Sequence, residues 1–153
     1  MSTLIVGLVV VGSMESLGVL IEHRRYTSDR NRAELLAEDL MSQVLASDYS
    51  DPDGAPVFGP EPLEANGTRR LFDDVDDFHK WDAAPPQERD GTLIKGLKGW
   101  RRTVTVEYVD PTDLATTVTS DLGVKRITVT VYGNGRTMAG ATTIRTKAGK
   151  DVQ

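Results

Sequence analysis

The chain opens on a long apolar run, and this run constrains the fold more than any other feature. From Thr3 to Ile21 the sequence reads TLIVGLVVVGSMESLGVLI, with one charged residue, Glu15. Roughly 19 residues at a rise of about 1.5 Å each make a helix of about 28 Å, close to the thickness of a bilayer core. We therefore expect a hydrophobic N-terminal helix over residues 1–28, buried in lipid or among other protein chains.

Other interpretations of the apolar run stay open. A cleavable secretory signal needs positive charge before its apolar part, whereas the first basic residues here are His23, Arg24 and Arg25. A buried core helix of a soluble protein needs other segments able to surround it, and none stands out. An ordinary single-pass anchor also fits. The positive-inside rule then places the following basic segment in the cytoplasm, so an exported head requires a basic leader ahead of Met1.

Small and polar residues within the run are typical of a helix that packs against partner helices. Glu15 in hydrocarbon would cost about 2–3 kcal/mol and marks a partner or a polar cavity. Gly12 and Ser16 form a small-xxx-small pair that allows close approach of another helix. The residues expected to take part in helix assembly are Leu4, Ile5, Val6, Gly7, Gly12, Glu15 and Ser16.

A globular head is predicted over residues 29–153. It begins with an amphipathic half-helix over residues 29–48, whose apolar side chains recur at i, i+4 in two adjacent rows. These rows are Ala33, Leu36, Leu40 and Val44 in one, and Ala37, Met41 and Leu45 in the other. Residues 49–99 are rich in Asp, Pro and Gly and predict loops.

Residues 100–146 change to a period of two, which predicts antiparallel strands. One strand begins at Trp100, a second contains Ile127, Val129 and Val131, and a third follows the turn at Gly133-Asn134-Gly135. Residues 110–123 are expected to connect the first two. The sheet needs a cover on its apolar face, and the helix stripe can supply one. The predicted fold class is therefore α+β, with one long N-terminal helix packed on a small antiparallel sheet.

This arrangement resembles the type IV pilins and the pseudopilins of type II secretion systems. MSTLI at residues 1–5 is similar to the mature N-terminus of that family, and LAEDLMSQVLA at residues 36–46 is similar to the second helical half of minor pseudopilins. The strings DPDG, FGPE, FDDVDDFHKW and GWRRTVTVEYVDP look like prepilin-type proteins of planctomycete-like bacteria. The resemblance covers most of the chain and implies a pilin-like fold.

The resemblance also implies a function as a structural subunit of a pilus or pseudopilus that serves protein transport. In the family a prepilin peptidase removes a short basic leader, and the new N-terminus, here Met1, is N-methylated. The implied partners are other pilin or pseudopilin subunits and the inner-membrane assembly platform. The implied location is the bacterial inner membrane with a periplasmic head, or an extracytoplasmic filament. The family usually has glutamate at the fifth mature position, whereas this chain has Ile5, which suits a minor subunit near the filament tip.

Composition and motifs argue against several classes of function. The net charge of −5 argues against nucleic acid as a main partner, because phosphate binding needs a basic surface. The chain has no cysteine and hence no disulfide framework. P-loop, GxGxxG and HExxH motifs are absent from the sequence. His79 near Asp77 is weak evidence for acid–base catalysis without a candidate nucleophile, so we expect no enzymatic activity.

An acidic cluster suggests a second function. Asp73, Asp74, Asp76 and Asp77 offer the hard oxygen ligands that Ca²⁺ prefers, although their spacing differs from an EF-hand loop. The competing interpretation is a solvated acidic loop, or one paired with Arg69 and Arg70. If calcium binds here, the alternative function is a single-pass, membrane-tethered binding module. No other cofactor is expected.

Overall fold

The structure is a computed structural model, and it describes residues 26–52, 57–65 and 68–147. The chain divides into two units, Met1–Arg32 and Ala33–Gln153. In the first unit the described residues, 26–32, are helical. The predictions for the processing site at Met1, and for Leu4, Ile5, Val6, Gly7, Gly12, Glu15 and Ser16, lie outside the described residues. Among the helices of the described ranges, none has the length and apolar character needed to cross a membrane.

The second unit confirms the predicted α+β class. Helix α1 covers residues 26–45, of which 33–45 belong to this unit. Among the described residues of this unit, a 3-10 turn at Asp76–Phe78 and then five strands follow. The strands are β1 (Asp82–Ala83), β2 (Trp100–Asp110), β3 (Asp113–Thr117), β4 (Val124–Gly133) and β5 (Arg136–Thr146). The predicted half-helix over residues 29–48 therefore ends three residues early, because residues 46–48 turn away to pair with the acidic loop.

The strands form one antiparallel sheet in the order β1-β2-β4-β5, with β3 paired to the far end of β2. The three predicted strands correspond to β2, β4 and β5. The β4–β5 hairpin turns at Asn134 and Gly135, whose φ angles of 50° and 78° are those of a type I′ turn. Residues 110–123 connect β2 to β4 as expected, and they also contain β3, which was not predicted. All five β3 side chains are exposed, so the sequence there lacks the alternation of apolar and polar residues that predicts a half-buried strand.

The core lies between α1 and one face of the sheet. Five residues of the predicted helix stripe are buried, namely Ala33, Ala37, Leu40, Met41 and Val44, and Leu36 and Leu45 are partly buried against them. The sheet contributes Val104, Val106, Ile127, Val129 and Val131. Phe72 and Phe78 join this core from the loops and meet edge to face, with ring centroids 5.0 Å apart. The amphipathic stripe thus covers the sheet as the sequence pattern predicted.

Two cations occupy core positions of the sheet. Arg102 is in phase with Trp100 and Val104 on β2, and Lys125 is in phase with Ile127 on β4. Both side chains are almost completely buried. Arg102 donates to the carbonyls of Leu36 and Gln87 and to Asp39, so it ties α1 to the sheet. Lys125 belongs to the acidic region described next.

Candidate functional site in the acidic loops

The acidic loop is held against the end of α1 by backbone hydrogen bonds. The N–H of Asp48 donates to the carbonyl of Asp73, and the N–H of Val75 donates to the carbonyl of Asp48, both at 2.9 Å. Asp48 and Asp74 thereby form an isolated parallel bridge. The pairing places the aspartates predicted from sequence close to Tyr49 and to the core.

Asp74 and Asp77 use their carboxylates to shape the loop itself. Oδ1 of Asp74 accepts the N–H groups of Asp76 at 2.7 Å and of Asp77 at 3.1 Å. Oδ2 of Asp77 accepts the N–H groups of Asp73 and Asp74, each at 3.0 Å. Both residues are 2% exposed. These reciprocal bonds satisfy the backbone donors at the start of the 3-10 turn, as capping side chains do at helix ends.

Asp76 faces a buried cation. Lys125 Nζ donates to Asp76 Oδ1 and to the carbonyl of Tyr49, and the Tyr49 ring lies 4.4 Å from the ammonium. Only 1% of the Lys125 side chain and 5% of the Asp76 side chain are exposed. Burial of two charges costs several kcal/mol per ion before their attraction offsets it, and removal of one partner typically costs about 3–5 kcal/mol. The ion pair therefore fixes the 3-10 turn in one position against β4.

A group of three carboxylates lies beside this pair. Glu61, Glu64 and Asp77 bring one oxygen each to within 4.8 Å of one another. Oε2 of Glu64 accepts the N–H of Glu61 at 3.1 Å. Glu61 Oε1 is buried and accepts no hydrogen bond within the described part of the chain. We refer to Glu61, Glu64 and Asp77 as the acidic triad.

Burial changes the protonation of these groups. Burial first, and then a side-chain hydrogen bond with Glu61, raise the pKa of Glu64 to about 8. Burial likewise raises the pKa of Asp77, whereas its hydrogen bonds with backbone N–H groups and with Glu64 oppose the shift. The pKa of Asp74 rises to about 7, through burial first and then through the charges of Asp76 and Asp77. At neutral pH Glu64 thus holds a proton that it shares with its acidic neighbours.

The acidic triad has part of what a calcium site requires. Three carboxylates supply hard oxygen ligands, and a cation would give Glu61 Oε1 a partner, which no described residue provides. Ca²⁺ takes 6–8 oxygens, so carbonyls and water would complete the coordination. A cation would also have to displace the proton of Glu64, which makes binding stronger at higher pH.

The four aspartates predicted as calcium ligands have different roles in the structure. Of these four, Asp77 alone belongs to the acidic triad. Asp74 is engaged by backbone N–H groups, Asp76 by Lys125, and Asp73 has an exposed side chain. Glu61 and Glu64, which lie on the loop before the aspartates, were not predicted as ligands. Their E-x-x-E spacing was the available signal, because it places both carboxylates on one side of a turn.

The arginines predicted to neutralise the acidic loop differ in a similar way. The Arg69 guanidinium lies 4.4 Å from the centre of the Trp81 ring. It donates hydrogen bonds to the Gln43 side chain and to the Gln87 carbonyl. Arg102 donates to the same carbonyl. Burial first, and then the charge of Arg102, lower the pKa of Arg69 to about 10. Its contacts thus join α1 to the loops, and Lys125 provides the ion pair with the acidic loop. Arg70 is exposed. The signal for Lys125 was a lysine in phase with Ile127, Val129 and Val131.

His79 has a structural contact to the sheet. Its Nδ1 accepts the N–H of Val106 at 3.3 Å, and its ring lies 4.9 Å from that of Phe58. Burial lowers the pKa of His79, and the charge of Lys80 lowers it further, so the ring is neutral at physiological pH. A neutral imidazole accepting a strand N–H is suited to anchoring the loop.

No family model matches the chain, and comparisons with curated proteins and with solved structures give no match.

Proposed function

We propose that this chain is a structural subunit of a pilus or pseudopilus, specifically a minor pseudopilin of a type II secretion-like system. The observation that carries the proposal is the packing of an amphipathic helix, residues 33–45, on an antiparallel sheet, in a chain whose sequence opens on an apolar helix-forming run. The likeness of residues 1–5 and 36–46 to pilin segments supports it. The function is non-enzymatic.

Under this proposal each part of the chain has a defined task. The apolar residues 1–28 pack beside the corresponding helices of other subunits in the inner membrane and then in the filament. The head, in the periplasm or the filament, makes the lateral contacts. Assembly requires the inner-membrane platform, and a prepilin peptidase generates the N-terminus at Met1. Ile5 in place of the family's glutamate favours a minor subunit over the repeating one.

The absence of cysteine from the sequence allows a clean cross-linking test. Single cysteines at Gly12 and Ser16 probe the predicted helix contact, and a cysteine at the exposed Thr105 on β2 serves as the control. In bacterial membranes we expect oxidation to link Gly12→Cys and Ser16→Cys variants to sibling subunits, with far less linkage from Thr105→Cys. If the fraction of monomer after oxidation were the same for all three variants, the result would contradict the proposal.

Processing gives an independent measurement. Mass spectrometry of the protein recovered from its native membrane is expected to show an N-terminal peptide beginning at Met1 and carrying one added methyl group. An unmethylated N-terminus at another position, together with a monomeric protein, would favour the alternative function.

That alternative is a membrane-tethered binding module that holds calcium in its acidic loops. The acidic triad is the observation that favours it, together with Glu61 Oε1, which has no hydrogen-bond partner among the residues that the structure describes. Calorimetric titration with CaCl₂ tests it directly. We expect Glu61→Gln to abolish any calcium binding and Glu38→Gln, an exposed change on α1, to leave it intact. Absence of binding at both pH 7 and pH 9 would exclude the calcium site.

A further inference from the structure

Lys125 and Asp76 lie where a lysine amine and an aspartate carboxyl can react with each other. Position 125 points to the core side of β4, directly opposite Tyr108 in the β2–β4 pairing. Its Nζ is in direct contact with Asp76 Oδ1, and both side chains are almost fully buried. The two residues are 49 apart in the chain, so their meeting depends on the fold.

The surroundings hold the pair in place and exclude water. Lys125 Nζ also donates to the Tyr49 carbonyl, and the Tyr49 and Tyr108 rings lie 4.4 Å and 5.8 Å from it. On the other side, Asp76 Oδ2 accepts the N–H of Gly59 at 3.4 Å. Two groups fixed in contact react with effective molarities that reach about 10⁵–10⁸ M in well-oriented cases. Amide formation requires the lysine as a neutral amine, which is the nucleophile, and the aspartate as a carboxylic acid, which is the electrophile.

We propose that Lys125 and Asp76 condense into an intramolecular isopeptide bond, a covalent cross-link between β4 and the 3-10 turn. The Lys125 Nζ–Asp76 Cγ bond forms and one Cγ–O bond of Asp76 breaks. Of the three protons on the ammonium, one stays on the amide nitrogen and two leave with the departing oxygen as water. Nothing is oxidised or reduced, and no second reactant is needed. The product is a neutral amide in place of two buried charges.

Asp74 is placed to assist this reaction. Its Oδ1 accepts the backbone N–H of Asp76 at 2.7 Å, and its carboxyl is buried. The charges of Asp76 and Lys125 both act on the Asp74 carboxyl, so it lies within electrostatic range of the two reacting groups. Its task in the proposed reaction is to carry a proton from the attacking nitrogen to the departing oxygen. This inference is independent of the proposed pilin function, because it concerns the head alone.

Intact mass spectrometry of the purified, denatured full chain tests the cross-link. We expect a mass below that of the sequence by one water, about 18 Da, as an amide condensation requires. Proteolysis and tandem mass spectrometry should then yield a branched peptide that joins Lys125 to Asp76. A chain with the full sequence mass, or one whose lost water maps to another position such as an Asp-Gly succinimide, would overturn the proposal.

Single substitutions distinguish a loss of the cross-linking reaction from a loss of the fold. Lys125→Arg keeps a buried cation but cannot form this amide, so this variant should show the full sequence mass. Lys147→Arg changes a second lysine near the Tyr49 ring and serves as the control. It should still show the loss of one water. Asp74→Asn retains an oxygen for the Asp76 N–H. In newly made chains from cell-free synthesis, sampled over time, it should slow the appearance of the cross-link at least tenfold, with unchanged circular dichroism. Equal rates in Asp74→Asn and wild type would remove Asp74 from the mechanism, and a mass loss that persists in Lys125→Arg would reject the cross-link.

Discussion

Replacement of Leu40 by alanine tests whether the helix stripe holds the head together. Leu40 lies on α1, is 0% exposed and belongs to the cluster formed with the sheet valines. Leu35 lies on the same helix and is 66% exposed. Leu35→Ala is therefore a matched control, since both variants make the same chemical change and the same change in helix propensity.

The expected magnitude follows from burial. Removal of a fully buried leucine side chain typically costs about 2–5 kcal/mol, because apolar contacts are lost and a cavity remains. The fixed sheet on one side of Leu40 limits relaxation, so we expect about 3 kcal/mol for Leu40→Ala. An exposed leucine loses little on truncation, and Leu35→Ala should stay within about 0.5 kcal/mol of wild type.

The assay is urea unfolding of the full chain, followed by tryptophan fluorescence. Both tryptophans, Trp81 and Trp100, lie in the head and pack on its core, so their emission reports the unfolding of this unit. The midpoint for Leu40→Ala should fall well below that for Leu35→Ala at similar m-values. Similar losses of stability in the two variants would refute the conclusion that this face of α1 is buried on the sheet.

Two further predictions concern the acidic loops and the hairpin. The pKa values of Glu64 and Asp74 in the folded chain, about 8 and about 7, lie above their ordinary values of 4.5 and 3.8. Their contribution to stability is therefore complete below about pH 4 and is lost as the pH rises through 7 to 8. Glu64→Gln should flatten this decline in urea midpoints between pH 5 and pH 9, and an unchanged slope would show that Glu64 titrates normally. At the β4–β5 turn, Gly135→Ala places a Cβ at a φ of 78° with nothing within 4 Å, so backbone strain alone should cost about 1 kcal/mol. Asn134→Gly relieves a positive φ and should cost less, and the reverse order of melting temperatures would contradict this account of the turn.

The sequence alone determined the parts of the fold that depend on local periodicity. The i, i+4 rows from Ala33 to Leu45 identified the buried face of α1, and the alternation around Ile127 identified β4. Asn134 and Gly135 marked the hairpin, because few residues adopt a positive φ without strain. These signals are readable because each one arises from neighbours within a turn or a strand.

The tertiary structure alone decided which distant groups meet. Glu61 and Glu64 join Asp77, and Lys125 reaches Asp76, only after the loops fold back on the end of α1 and on β4. The four neighbouring aspartates look alike in the sequence, yet one binds a lysine, two accept backbone N–H groups and one is exposed. Their burial and partners are set by packing over long chain separations, which local patterns do not encode. Such contacts can be recognised in the sequence where a charged residue occupies a core-facing position of a strand, as at positions 102 and 125.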